Sequence, residues 1–217
     1  MLVNEIELVA SHYTESELFY SGKINSLLGF LEINLTEFPD KIKIRNNTKE
    51  PILNQKLLRF LEAKNSFFKF IPENLDEKEK NQSKPDLGVY EKEFDENGIE
   101  VYDDDKIRFF DIECKRLNSK IKHVEQYVTG KTGGIQRFKE NKHGVDLPQS
   151  AMIGYVEDHD FDFWHTKVNY WINDENEKIK LLEKQKIAKL SSNHQRNNEK
   201  TIIQLTHFWL KIKFSNN

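Results

Sequence analysis

The six-residue stretch Ala151–Val156 (AMIGYV), apolar and closed by turn-forming residues on both sides, is the feature that most constrains this fold. It reads as a buried strand of a parallel sheet. Around it lie elements of two other kinds. Glu15–Leu35 carries Leu18, Phe19, Ile24, Leu27, Leu28 and Leu31 at helical spacing, broken by Phe38-Pro39-Asp40. Pro51 opens a second helix with Ile52, Leu53, Leu57, Leu58 and Leu61 on one face. Ser66–Ile71 (SFFKFI) is β-prone, and Asn74–Lys84 is a charged surface loop. Asp86–Phe94 and Ile99–Tyr102 form a hairpin about Asp95-Glu96-Asn97-Gly98, and Ile107–Cys114 is the strongest strand. Lys120–Val128 and Ile135–Asn141 read as helical pieces parted by glycines, Phe161–Leu190 as largely helical, Ser191–Lys200 as a polar loop and Thr201–Phe214 as a closing strand. Helix, meander, helix and further strand point to an α/β sandwich with a central mixed sheet flanked by helices.

The chain has 217 residues, which sets the expectation of one domain. A mean hydropathy of -0.75, with no apolar run near ~18 residues, excludes a membrane-spanning helix. The acidic start lacks a cationic leader, and the single cysteine, Cys114, rules out a disulfide framework. A cytoplasmic location is expected. The net charge of -3 hides an asymmetry. From Asp86 to Cys114 there are eleven acids and three Lys or Arg; from Lys115 to Gly144 there are eight Lys or Arg and two acids.

At this boundary lies the chemistry. Glu113 and Lys115 are two apart on a strand and so share a face, and Asp86 reaches that face if its strand pairs alongside. Two carboxylates supply hard oxygen ligands for Mg²⁺ or Mn²⁺, the Cys114 carbonyl is a further candidate ligand, and the lysine would handle the nucleophile and the developing charge. The glycine-rich block Gly130–Gly144 adds Lys131, Arg137, Lys139 and Lys142 as phosphate partners, but has no P-loop frame. His159 and His165 read as core or surface residues, and His194 and Arg196 as residues of a solvated loop.

Pro85-Asp86 with Glu113-Cys114-Lys115 resembles the signature of the PD-(D/E)XK nuclease superfamily, whose restriction-endonuclease-like core corresponds to residues 50–156 here, with 1–45 a helical extension and 157–217 a C-terminal helix and strand. The resemblance implies a metal-dependent endonuclease acting on DNA, in restriction or anti-phage defence, with Asp86 and Glu113 binding Mg²⁺ or Mn²⁺ and Lys115 catalytic. It makes Glu50 and Glu73 further acid candidates, and Arg116, Lys131, Gln136, Arg137, Lys139 and Lys142 nucleic-acid contacts, with Gln126 behind them. Double-strand cleavage would call for a homodimer. The alternatives are a non-catalytic nucleic-acid or protein-binding module on the same fold, and an RNA- or structure-specific nuclease.

Overall fold

The computed structural model describes residues 15–45, 48–64, 67–72, 84–101, 107–197 and 200–214. Two long helices come first, α1 (Glu15–Leu35) and α3 (Glu50–Lys64), with the single turn α2 (Phe38–Lys41) between them. Leu53, Leu57 and Leu61 repeat at four-residue intervals on α3 and are fully buried. The strands follow as β1 (Phe68–Pro72), β2 (Leu87–Glu91), the small hairpin β3 (Glu93–Phe94) and β4 (Glu100–Val101), β5 (Phe110–Leu117), β6 (Gln149–Val156), β7 (Lys180–Lys184), β8 (Ile187–Gln195) and β9 (Ile202–Lys211). Between β5 and β6 lie a 3₁₀ turn (Val124–Tyr127) and α4 (Gly134–Lys139), and α5 (Phe161–Trp171) follows β6.

Seven strands make one mixed sheet in the order β1-β2-β5-β6-β9-β8-β7. Its centre is parallel, β6 pairing with β5 on one side and β9 on the other, and the flanking pairs are antiparallel. The alternation along β6 explains its unbroken apolar sequence. Ala151, Ile153 and Tyr155 enter a core shared with α1 and α3, while Met152 and Val156 enter a second core with α4, α5 and Trp209. α1 is thus no appendage, since Ile24, Leu27, Leu31 and Leu35 are built into the first core.

Local chemistry fixes several boundaries. Asp95 Oδ1 accepts from the amides of Asn97 and Ile99, closing the hairpin turn over Gly98. Asp160 caps α5 by accepting from the amide of Phe163. Three expectations need correcting. The stretch 172–190 is not α-helical: α5 stops at Trp171, Glu175–Glu177 is a single 3₁₀ turn, and Lys180–Lys184 and Ile187–Gln195 are strands. The loop expected at 191–200 is in part strand β8, with Ser192 and His194 buried. Lys120–Val128 forms turns and a 3₁₀ turn. β9, the chain's closing strand, lies within the sheet, between β6 and β8.

Candidate active site

β5 outruns its neighbour. Antiparallel β2 pairs only with Phe110, Ile112 and the residue between them, so beyond Ile112 the amides on that side of β5 need other acceptors. Two carboxylates supply them. Asp86, just before β2, accepts from the Cys114 amide at 2.8 Å, and Glu50, at the start of α3, accepts from the Arg116 amide at 3.0 Å. The departure of β2 therefore brings both acids to the strand that carries Glu113 and Lys115.

Glu50, Asp86, Glu113, Lys115, Arg116 and Arg137 line one cleft, whose far side is formed by 121–124, Gln126, Tyr127 and Thr132. Lys115 Nζ is 2.5 Å from Glu113 Oε1 and 3.8 Å from Glu50 Oε1, and Arg137 is 3.6 Å from the same Glu113 oxygen. Glu113 is 1% exposed and its Oε2 has no hydrogen-bond partner among the described residues. Burial, reinforced by the charge of Asp86, raises the Glu113 carboxyl to about 8. Burial works against the Lys115 charge, but Glu113, Glu50 and Asp86 outweigh it and hold the ammonium above its ordinary value. Glu50 is raised, chiefly by burial.

His143 is the residue that sequence reasoning missed. It is fully buried, with Nδ1 3.4 Å from Glu113 Oε2, and the backbone of Lys84 takes part in its hydrogen bonding. Burial, with Arg137 second, lowers it to about 3, so it is a neutral imidazole. Thirty residues separate His143 from Glu113, and no periodicity links them. The loop that carries it is fixed from behind. The buried Arg196 guanidinium donates to the carbonyls of Phe138, Gly144 and Leu147 and to Asn141 Oδ1, and Asp111 Oδ2 accepts from the Gly144 amide. His194 and Arg196 are therefore interior residues on β8 and just after it, not members of a solvated loop.

The far wall is anchored by a buried chain of hydrogen bonds. Trp209 Nε1 donates to the Tyr127 hydroxyl (2.8 Å), which meets His207 Nδ1 (2.9 Å); His207 Nε2 meets Ser192 Oγ (2.8 Å), which meets His194 Nε2 (2.7 Å). His194 Nδ1 lies 3.3 Å from Glu177. An indole can only donate, which gives the chain its direction at the Trp209 end; run that way, it puts the His207 proton on Nε2 and the His194 proton on Nδ1, 3.3 Å from the Glu177 carboxylate.

Of the other expected contacts, Arg116 lines the cleft while gripping Glu157 through two nitrogens. Gln126 lines it too. Gln136 donates to Glu140, Lys139 pairs with Glu177, Lys142 pairs with Glu140, and Lys131 is exposed; none of these four lines the cleft. The glycines before α4 have a packing role, because a Cβ on Gly133 would stand 2.5 Å from the Thr129 carbonyl. Cys114 is buried in the first core. Glu73 lies outside the described residues.

The donor set suits a hard divalent cation. Asp86, Glu113 and Glu50 offer carboxylate oxygens, and Glu113 Oε2, without a hydrogen-bond partner among the described residues, is a buried acceptor open to a cation, a proton or a water. Among the described residues no three His, Cys, Asp or Glu side chains form a ready-made metal cluster. A bound Mg²⁺ would therefore complete its shell with water and substrate oxygens, as that ion commonly does. No helix of the described residues is long and apolar enough to cross a membrane. The chain matches no protein-family model, no curated protein and no solved structure.

Proposed function

We propose that this chain is a metal-dependent endonuclease of the PD-(D/E)XK kind, with a restriction-endonuclease-like core, that hydrolyses DNA phosphodiester bonds. The observation that carries the reading is the meeting of Glu50, Asp86, Glu113 and Lys115 in one cleft where β2 leaves β5. Asp86 and Glu113 would hold Mg²⁺ or Mn²⁺, with Glu50 and the Cys114 carbonyl as further ligands. When bound, the ion supplies Lewis acidity toward water and phosphate. The side chains do the rest. Lys115, an ammonium held by its acids, orients the attacking water and stabilises negative charge on the phosphate oxygens. Arg137 adds a second positive charge beside Glu113. Lys122 and His123, on the opposite lip, meet the phosphate backbone. The water oxygen adds to phosphorus and the leaving 3′ oxygen takes a proton, giving a 5′-phosphate and a 3′-hydroxyl. Cutting both strands calls on two copies of the site, hence a homodimer, and defence against foreign DNA is the setting the resemblance suggests.

A non-catalytic binding module is the second reading. It is favoured by the backbone amides that Asp86 and Glu50 accept, since these acids have structural work without any metal. One experiment separates the two. Plasmid, linear duplex and single-stranded DNA, with RNA as a further arm, are incubated with Mg²⁺, Mn²⁺ or EDTA beside Lys115→Ala. The nuclease gives metal-dependent cuts that fall by at least ~10²-fold in the variant. Binding of DNA without any cut, unchanged in Lys115→Ala, would favour the module.

A further inference from the structure

Beside the cleft lies a second concavity of quite different chemistry. It runs between the first turns of α3 and the strand ends at Pro72 and Leu87, and Asp86 lines both it and the cleft. Its volume of about 430 Å³ falls in the range of small-molecule sites. Pro51, Ile52, Leu58 and Pro72 give it apolar walls, and Ile52 is 48% exposed. The cleft holds Lys115, Arg116, Lys122 and Arg137, whereas among the described residues no Lys or Arg lines the groove and Asp86 is the charged residue in it.

The groove also contains a preorganised donor. Tyr155, fully buried, donates to Asn54 Oδ1 at 3.0 Å, and Cys114 is a hydrogen-bond partner of the same hydroxyl from below. With the Tyr155 hydroxyl on its oxygen, Asn54 still has its Nδ2 hydrogens and one Oδ1 lone pair for a ligand. Gln55, next to it and exposed, adds an amide free to donate or accept. A largely apolar slot with two side-chain amides, meeting a cationic acid-lined cleft at the Asp86 carboxylate, matches a ligand with an anionic end and a ring bearing hydrogen-bonding groups. A nucleotide has both.

We infer that the groove seats the base of the nucleotide adjoining the scissile phosphate, with Asn54 and Gln55 as specificity-determining residues. This rests on the nuclease reading, and its test is chosen to fail separately. The full-length chain, labelled with ¹⁵N, is titrated with each of the four deoxynucleoside 5′-monophosphates and with deoxyribose 5-phosphate. The nucleotides shift the side-chain amide signals of Asn54 and Gln55; the sugar phosphate, which has no base, shifts only cleft residues. Asn54→Ala weakens nucleotide binding about tenfold and leaves sugar-phosphate binding unchanged. Because Asn54→Ala also removes the partner of Tyr155, Gln55→Ala serves as a second variant whose exposed side chain leaves the core untouched, and it changes the base preference of binding. Groove signals unmoved by nucleotides, or moved equally by the sugar phosphate, overturn the inference whether or not DNA is cut. Base-dependent shifts in a protein that cuts no DNA leave the groove standing and remove the nuclease reading alone.

Discussion

Glu113 is buried, faces the Asp86 charge and keeps one oxygen without a hydrogen-bond partner, so its ionised form is costly in the folded state. Its carboxyl is raised from 4.5 to about 8, so between those values the native state holds a proton that the unfolded chain releases. The native state binds more protons in this window, and its stability therefore falls as pH rises through it. Glu113→Gln removes that dependence. The variant should match the wild type near pH 4.5 and exceed it near pH 8 by on the order of 1–2 kcal/mol, read from urea unfolding at both values. A wild-type advantage that grows with pH would contradict the burial argument. The same residue governs metal linkage. An ion that binds only the folded state stabilises it by ~2.7 kcal/mol at a hundred times Kd, so Mg²⁺ should raise the melting temperature of the wild type and leave that of Glu113→Gln nearly unchanged.

At the scale of elements, the site depends on a loop that has little regular structure of its own. Residues 140–148 follow α4 and lead into β6, and their shape comes from Arg196 on one side and Asp111 on the other. Gly144 has φ +60, and a Cβ there would meet Ser150 and Ile203 at 2.9 Å, so glycine is required where the loop turns against Asp111. Arg196→Met removes four hydrogen bonds to buried oxygens and should cost ~3 kcal/mol or more, with faster amide exchange across 143–147. Arg196→Lys should recover little, because an ammonium cannot span acceptors that a planar fork reaches together. Equal exchange protection in the wild type and Arg196→Met would show that Asp111 alone holds the loop.

At the scale of the whole molecule, the chain from Trp209 to Glu177 ties the cleft wall to the far half of the sheet. Burial keeps His194 and His207 neutral, and burial works against the Glu177 charge until hydrogen bonds from His194 and Lys139 outweigh it and hold that carboxyl at about 2. Imidazole ¹⁵N shifts should therefore report the Nε2–H form for His207 and the Nδ1–H form for His194 near pH 8, where burial leaves both rings neutral. Ser192→Ala leaves both imidazoles short of a partner and should lower stability by ~1–3 kcal/mol. The swapped pair, Nδ1–H on His207 and Nε2–H on His194, would mean that the chain runs in the opposite direction.

The local part of this architecture was readable from the chain. Period-four leucines gave α3, the two-sided apolar run gave β6, and Asp95 to Gly98 gave the hairpin turn. Two-residue alternation put Glu113 beside Lys115, and Pro85-Asp86 marked the acid that joins them. The misread stretch fails for a physical reason. Leu181, Leu182, Ala188 and Leu190 with their flanking lysines suit a helix, and only the pairing of β8 with β9, and of β7 with β8, makes them strands. His143, Arg196 and the chain through Ser192 lay beyond sequence reasoning, because each acquires its role from partners 15 to 80 residues away. Sequence determined which residues could form each helix and strand and which carried charge, through interactions between neighbours. Tertiary structure decided which charges lost water and met one another, because desolvation depends on what the rest of the chain packs against them.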